Sequence, residues 1–285
     1  RHIKIETITK ALKYMKFKSI PTSENPGINI PTTVNGNVGT ENVADINGTC
    51  LPTIYEVYRT GQCSIFKHVS EKIRTLPYGH KTRFESVWNL YSKGAFKTIK
   101  AKDYLYVSNL YQSIMSGYHF KIEQIPEYNW LKSTEITKTL KLMKKYISPA
   151  AQYEMFITGS IESNGVNRVI NGAIDIIDFE SPLVDSNTDT NTKTMVVWEI
   201  KCTNSIETEH ILQLAFYAWI LENIETYKIY KNYKKKYYIL NILENKIIEL
   251  YDSDLQQIVE IVLNAKFESN EKISDEQFIA SLCVV

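Results

Sequence analysis

Apolar residues along this chain fall into short strand-like runs and longer helical stripes, and the two patterns divide it into regions. Met195 to Cys202 is a short apolar run with β-branched Val196, Val197 and Ile200, the composition of a buried strand. Arg168 to Ile174 is a similar run ending at Asp175, and Asn164-Gly165 ahead of it has the residues of a two-residue hairpin turn. Between these runs, Glu180 to Lys193 is rich in Ser, Asp, Asn and Thr and suits an exposed loop. Tyr237 to Leu243, Glu244-Asn245 and Lys246 to Leu250 read as strand, turn and strand. Helical spacing dominates from Glu56 to Ile147, where Ile136, Leu140 and Met143 make one stripe with Lys138, Lys141 and Lys145 away from it. His210 to Leu221 is strongly apolar, and Leu255 to Phe267 is a further amphipathic helix. Lys18 to Asn47 is short of helix formers and rich in Pro, Gly, Asn and Thr, which predicts a long loop. The expected organisation is a lead-in helix and polar linker over 1–47 and a globular unit over 48–285. Within that unit, 48–147 forms a helical layer, 148–252 an α/β core and 253–285 a C-terminal helix and tail.

Charge inside the most apolar strand changes the picture. Side chains alternate across a strand, so Glu199 and Lys201 share one face while Trp198, Ile200 and Cys202 share the other. Buried unpaired charges are too costly to serve packing alone, so Glu199 and Lys201 need a metal, a partner or each other. If the two strands pair, Asp175 and Glu199 converge on one divalent ion, and hard carboxylate oxygens suit magnesium or manganese. Such an ion polarises a phosphate and activates a water, while the Lys201 ammonium orients that water or offsets developing charge. A buried Glu199–Lys201 ion pair with Asp175 at a strand end is the alternative on these residues alone.

The order Gly172-x-x-Asp175, loop, Glu199-x-Lys201 resembles the PD-(D/E)XK nuclease superfamily, and further matches point to its RecB-like branch. Gln213-Leu214-Ala215-Phe216-Tyr217 is similar to the Gln-x-x-x-Tyr motif of that branch, with Gln213 and Tyr217 on one helix face. Gly48-Thr49 through Glu56 resembles the first motif, Gly-Thr-x-x-His-x-x-x-Glu, with Pro52 in place of the His. Proline cannot ligate, and it limits a helix to starting near it. Lys4 to Met15 resembles the segment that leads from a UvrD-type helicase into its C-terminal nuclease. The resemblance implies an α/β restriction-endonuclease-like core, a central mixed β-sheet flanked by helices, with a helical N-terminal layer. It implies Asp175, Glu199 and Lys201 as catalytic residues, and Asp175, Glu199, the Ile200 carbonyl and, less strongly, Glu56 as metal ligands. Gln213 and Tyr217 are then substrate-positioning residues. The implied activity is magnesium-dependent deoxyribonuclease, an exonuclease or end-processing module in recombination, repair or replication, beside a helicase domain on the same polypeptide or in the same complex. A PD-(D/E)XK module that binds DNA without cutting is the alternative, favoured by Pro52. A hydrolase using Asp175 and Glu199 as paired carboxylates leaves Lys201 unexplained.

Composition narrows the remaining classes. An apolar content of 44% over 285 residues suits a packed core, and no apolar run reaches membrane-span length. No signal peptide is expected, since no charged-then-apolar segment opens the sequence, and a start at Arg1 suits a piece of a longer polypeptide or a processed chain. Cys50, Cys63, Cys202 and Cys283 lack paired spacing, so neither a zinc site nor a disulfide framework is expected. Because the chain lacks the tight late cysteine group through which some RecB-like nucleases hold an iron-sulfur cluster, the resemblance implies no cluster here. The expected location is an intracellular reducing compartment, nucleus or cytoplasm. The net charge of +1 averages an acidic centre with basic stretches. Lys67, His68, Lys81 and Arg83 are candidate contacts to a DNA backbone, of single strands or duplex ends. The tyrosines interleaved with Lys231 to Lys236 are candidates for stacking bases.

Overall fold

The computed structural model describes residues 5–22, 26–75, 78–95, 98–117, 119–163, 165–183 and 193–271. In chain order they form α1 (Ile5–Leu12), β1 (Phe17–Ile20), β2 (Thr33–Asn35), β3 (Thr40–Asn42), α2 (Ala44–Thr60), α3 (Ser64–Lys72), α4 (Tyr78–Ser92), α5 (Ala101–Ser116), α6 (Phe120–Gln124) and α7 (Ser133–Tyr146). There follow β4 (Gln152–Ser163), β5 (Val166–Asp178), β6 (Thr194–Lys201), α8 (Thr208–Asn223), β7 (Lys234–Asn241), β8 (Lys246–Leu250) and α9 (Leu255–Glu271).

The fold is α/β, with a central mixed sheet of six strands in the order β1-β8-β7-β6-β5-β4, flanked by helices. Among the described strands only β6 and β7 pair in parallel, and α8 lies in the crossover that a parallel pair requires. The alternation of β6 separates two cores. Val196, Trp198 and Ile200 join Tyr55, Leu105 and Leu142 of the α2–α7 layer, while Met195 and Val197 join Leu214, Ala218 and Val259 of α8 and α9. A strand covered on both faces has no solvated side, which accounts for the unbroken apolar run Met195–Trp198.

Two expectations differ from the structure. The stretch read as a linker holds three strands, and β1 forms the sheet edge by pairing Phe17–Ile20 with Ile247–Leu250. Ile8, Ala11 and Met15 of the lead-in segment pack in the same core as α9, and the Tyr251 amide donates to the Lys16 carbonyl at 2.9 Å. Pro52 lies well inside α2 rather than near its start. Its missing N–H leaves the Gly48 carbonyl without that helical donor. The helix is held by buried contacts on both sides of the proline: Thr53 Oγ1 donates to the Thr49 carbonyl at 2.8 Å, and the Asn47 amide donates to the Pro31 carbonyl at 2.8 Å.

Candidate active site

Where β5 and β6 part, the sheet opens into a cavity of about 670 Å³. Ile176↔Trp198 is the last β5–β6 pair on the side of the cavity, so Asp175 and Glu199 face each other just beyond it. On the other side of β5, the pairs Tyr153↔Ile176 and Met155↔Ile174 bracket Glu154 opposite Asp175. Glu154, Asp175 and Glu199 therefore form a row across three adjacent strands, and all three line the cavity.

The chain reverses its faces at this row. Tyr153 and Ile176 pack on the α2–α7 side, but Met155, Ile157 and Ile174 pack on the α8 side. Regular alternation would keep 153 with 155 and 174 with 176. Glu154 has φ 49, a left-handed conformation costing on the order of 1 kcal/mol for such a residue, and it resets the alternation of β4.

Hydrogen bonds fix most of the polar groups. The Ile200 amide, past the end of its pairing with β5, donates to Asp175 Oδ2 at 2.6 Å. Lys201 Nζ donates to Glu199 Oε1 at 2.6 Å and to Gln213 Oε1 at 2.9 Å, and Gln213 Nε2 donates to Tyr217 Oη at 2.7 Å. Tyr111 Oη donates to Glu154 Oε2 at 2.7 Å. A β-carbon added at Gly172 would lie 2.6 Å from Tyr217 Cε1, so the glycine of Gly-x-x-Asp is the seat of the Gln-x-x-x-Tyr tyrosine. A β-carbon added at Gly48 would lie 3.5 Å from the Ile200 carbonyl oxygen, so α2 closes over that carbonyl at the cavity wall.

Three carboxylates here face one ammonium, because Asp45 and Lys121 at the cavity wall pair with each other at 2.7 Å. Burial raises the Asp175 carboxyl well above its ordinary range, and the neighbouring Glu199 and Glu154 charges add to the rise against Lys201 and the Ile200 amide. Burial also lifts Glu154 to about 7, with Glu199 and Glu56 adding and the Tyr111 bond opposing. Burial alone would lower Lys201, but Glu199 and Asp175 outweigh it and the net shift is upward. Glu199 Oε2 is buried with no hydrogen-bond partner. An acidic excess with an unpartnered carboxylate oxygen fits a hard divalent cation, whose charge would offset the repulsion that otherwise holds protons on the site. Among the described residues no three His, Cys, Asp or Glu side chains already stand gathered as a ligand set. Glu199 is drawn to Lys201 and Asp175 to the Ile200 amide.

Other predicted residues lie elsewhere. Both Glu56 oxygens accept from the Ser64 amide, at 3.1 and 2.9 Å, and Oε1 also accepts from Ser64 Oγ at 2.6 Å. Glu56 thus holds the first turn of α3 rather than lining the cavity, and burial raises its pKa despite those bonds. Lys67, His68, Lys81 and Arg83 do not line the cavity either. Arg83 lies over the Tyr106 ring at 3.8 Å, and Lys81 is 3.9 Å from Glu85. Tyr237 and Tyr238 are buried and offer no ring face to a base, while Tyr230 and Tyr233 are half-buried and pack around Phe179.

Sequence reasoning missed Glu154, Tyr111 and His210. Glu154 carried a usable signal, a lone charge within Tyr153-Glu-Met155-Phe156-Ile157, the same anomaly that marks Glu199. His210 lines the cavity, and its Nδ1 accepts the Glu207 amide at 3.0 Å. Burial lowers its pKa, Lys201 adds to that, and Glu207 and Glu209 oppose it. The neutral ring therefore carries its proton on Nε2 and presents a donor. Comparison of the chain with family models, curated proteins and solved structures finds no match.

Proposed function

We propose that the protein is a divalent-metal-dependent nuclease that hydrolyses phosphodiester bonds in DNA, acting on ends and belonging with the RecB-like PD-(D/E)XK enzymes. The row of Glu154, Asp175 and Glu199 beside Lys201 is the observation that carries the reading. Asp175, Glu199, Glu154 and the Ile200 carbonyl would hold magnesium or manganese, which when bound supplies Lewis-acid polarisation of the phosphate and a more acidic water. Lys201 stays charged at neutral pH, and Gln213 and Glu199 restrain its ammonium beside the reacting phosphate, where it offsets charge building in the transition state. Tyr217 holds the far end of Gln213, and His210 offers its Nε2–H to a phosphate oxygen. The helicase partner rests on the resemblance of Lys4 to Met15.

One observation favours a second reading, a module that binds DNA without cutting: Pro52 stands where the resemblance expects a ligating His. Cleavage of end-labelled single-stranded and duplex DNA with magnesium, manganese or EDTA separates the two. Metal-dependent cutting that falls at least about 100-fold in Lys201→Ala, with DNA affinity retained, is the expected result. A folded protein that binds DNA and leaves it intact under every condition sinks the nuclease reading.

A further inference from the structure

We propose that Phe156, backed by His68, is a stacking platform for an unpaired base, and that it makes an unpaired end of single-stranded DNA the substrate of the carboxylate site. The inference rests on the nuclease reading for what happens at the carboxylates, while the platform itself is a binding site testable without cleavage. Phe156 is 47% exposed, the conspicuous apolar residue on the outward face of β4 near the cavity. Its ring stacks on His68 with centroids 4.7 Å apart and planes at 25°. His68 in turn meets the Tyr111 ring edge to face at 5.4 Å, and Tyr111 Oη holds Glu154. A continuous aromatic support thus runs from a solvent-facing ring to a carboxylate of the site. Burial lowers the His68 pKa, so the support is a neutral ring at physiological pH rather than a phosphate contact.

Spacing and chemistry select the ligand. Phe156 lies two residues from Glu154, about 6.6 Å of strand, so a base on its ring would lie beside the row of carboxylates. Beyond it the outward face of the β4–β5 hairpin carries Thr158, Ser160, Val169 and Asn171, with Glu162 only farther out, so little charge repels a phosphate chain there. An exposed aromatic face accepts any base, but a base inside a duplex has both its faces stacked, so the platform selects unpaired nucleotides.

Binding of labelled oligo-dT and of a blunt duplex, followed by anisotropy in EDTA, tests the platform without turnover. Phe156→Ala is expected to weaken oligo-dT binding about tenfold and leave the duplex unchanged, whereas Phe156→Trp retains affinity and its added emission is quenched by oligo-dT. Unchanged oligo-dT affinity in Phe156→Ala, equal losses for oligo-dT and duplex, or an unquenched Phe156→Trp at saturation would each overturn it. A parallel magnesium assay keeps the two readings apart: intact binding differences without cutting remove the nuclease and leave the platform, while normal cutting of single strands by Phe156→Ala at unchanged KM removes the platform and leaves the nuclease.

Discussion

Glu56 is buried away from the cavity and Glu154 is half-buried at its wall, and their partners assign them different work. Glu154 accepts one bond from Tyr111 and shares the cavity with Asp175 and Glu199, and its φ of 49 is tolerated in a strand otherwise regular on either side. Strain held at a cavity-lining carboxylate is the pattern expected where geometry serves chemistry more than stability. Glu154→Gln is therefore expected to cut the cleavage rate at least about 10- to 100-fold and to shrink the rise in melting temperature that magnesium gives. Equal magnesium stabilisation of the wild type and Glu154→Gln, measured calorimetrically, would take Glu154 out of the ion's surroundings. Glu56 is different, since its carboxylate answers the Ser64 amide and hydroxyl at the start of α3. Glu56→Gln keeps one acceptor oxygen but turns an NH2 donor toward the Ser64 amide in place of the other, and it is expected to lower stability by about 1 kcal/mol while cleavage stays within a few-fold. A variant of native stability and abolished cleavage would instead restore Glu56 as a ligand.

Between elements, one close contact of the sheet with α8 is Gly172 against Tyr217. Alanine at 172 drives its β-carbon into the ring, so the ring must shift, at a cost of about 1–3 kcal/mol typical of overpacking. The shift also takes the Tyr217 hydroxyl from Gln213 and loosens the amide that restrains Lys201. Gly172→Ala should lose both stability and rate, and adding Tyr217→Leu should recover stability in urea melts without recovering rate. Additive stability losses in the double variant would show that the two residues do not interlock. The same contact explains what was legible in the sequence. The charges in an apolar strand marked Glu199 and Lys201 and the resemblance singled out Gln213 and Tyr217, and strand and helix periods put each pair on one face, a purely local property. That Gly172 seats Tyr217 depends on how β5 meets α8, which no local period encodes. Glu154 is a mixed case, visible as a charge in an apolar run but tied to Asp175 only by the hairpin register. The helix through Pro52 went against its local rule because buried contacts around α2 hold it, and Phe17–Ile20 looked like linker because its partner strand lies some two hundred residues away.

At the scale of the whole molecule, residues 5–20 are part of the body that builds the site. β1 covers the outer edge of β8, and β8 is one strand removed from β6 through β7. Without β1, every second residue of Ile247–Leu250 would present unpaired backbone groups on an exposed edge, the arrangement that invites strands from other molecules. Without α1 and the turn after it, α9 would lose Ile8, Ala11 and Met15 from its inner face. Burying Ile8 and Met15 is worth about 1.5–3 kcal/mol each. Deleting residues 1–20 should thus remove about 3–6 kcal/mol, a large part of the roughly 5–15 kcal/mol by which a domain is stable. The urea midpoint should fall accordingly, and the truncated chain should associate at concentrations where the intact chain does not. A detached lead-in followed by a linker makes the opposite prediction, an unchanged midpoint and an unchanged sedimentation profile. Because β6 carries Glu199 and Lys201 from the centre of this sheet, weakening its edge should also lower metal-dependent cleavage near the melting temperature before it does so in the cold, where the sheet remains closed.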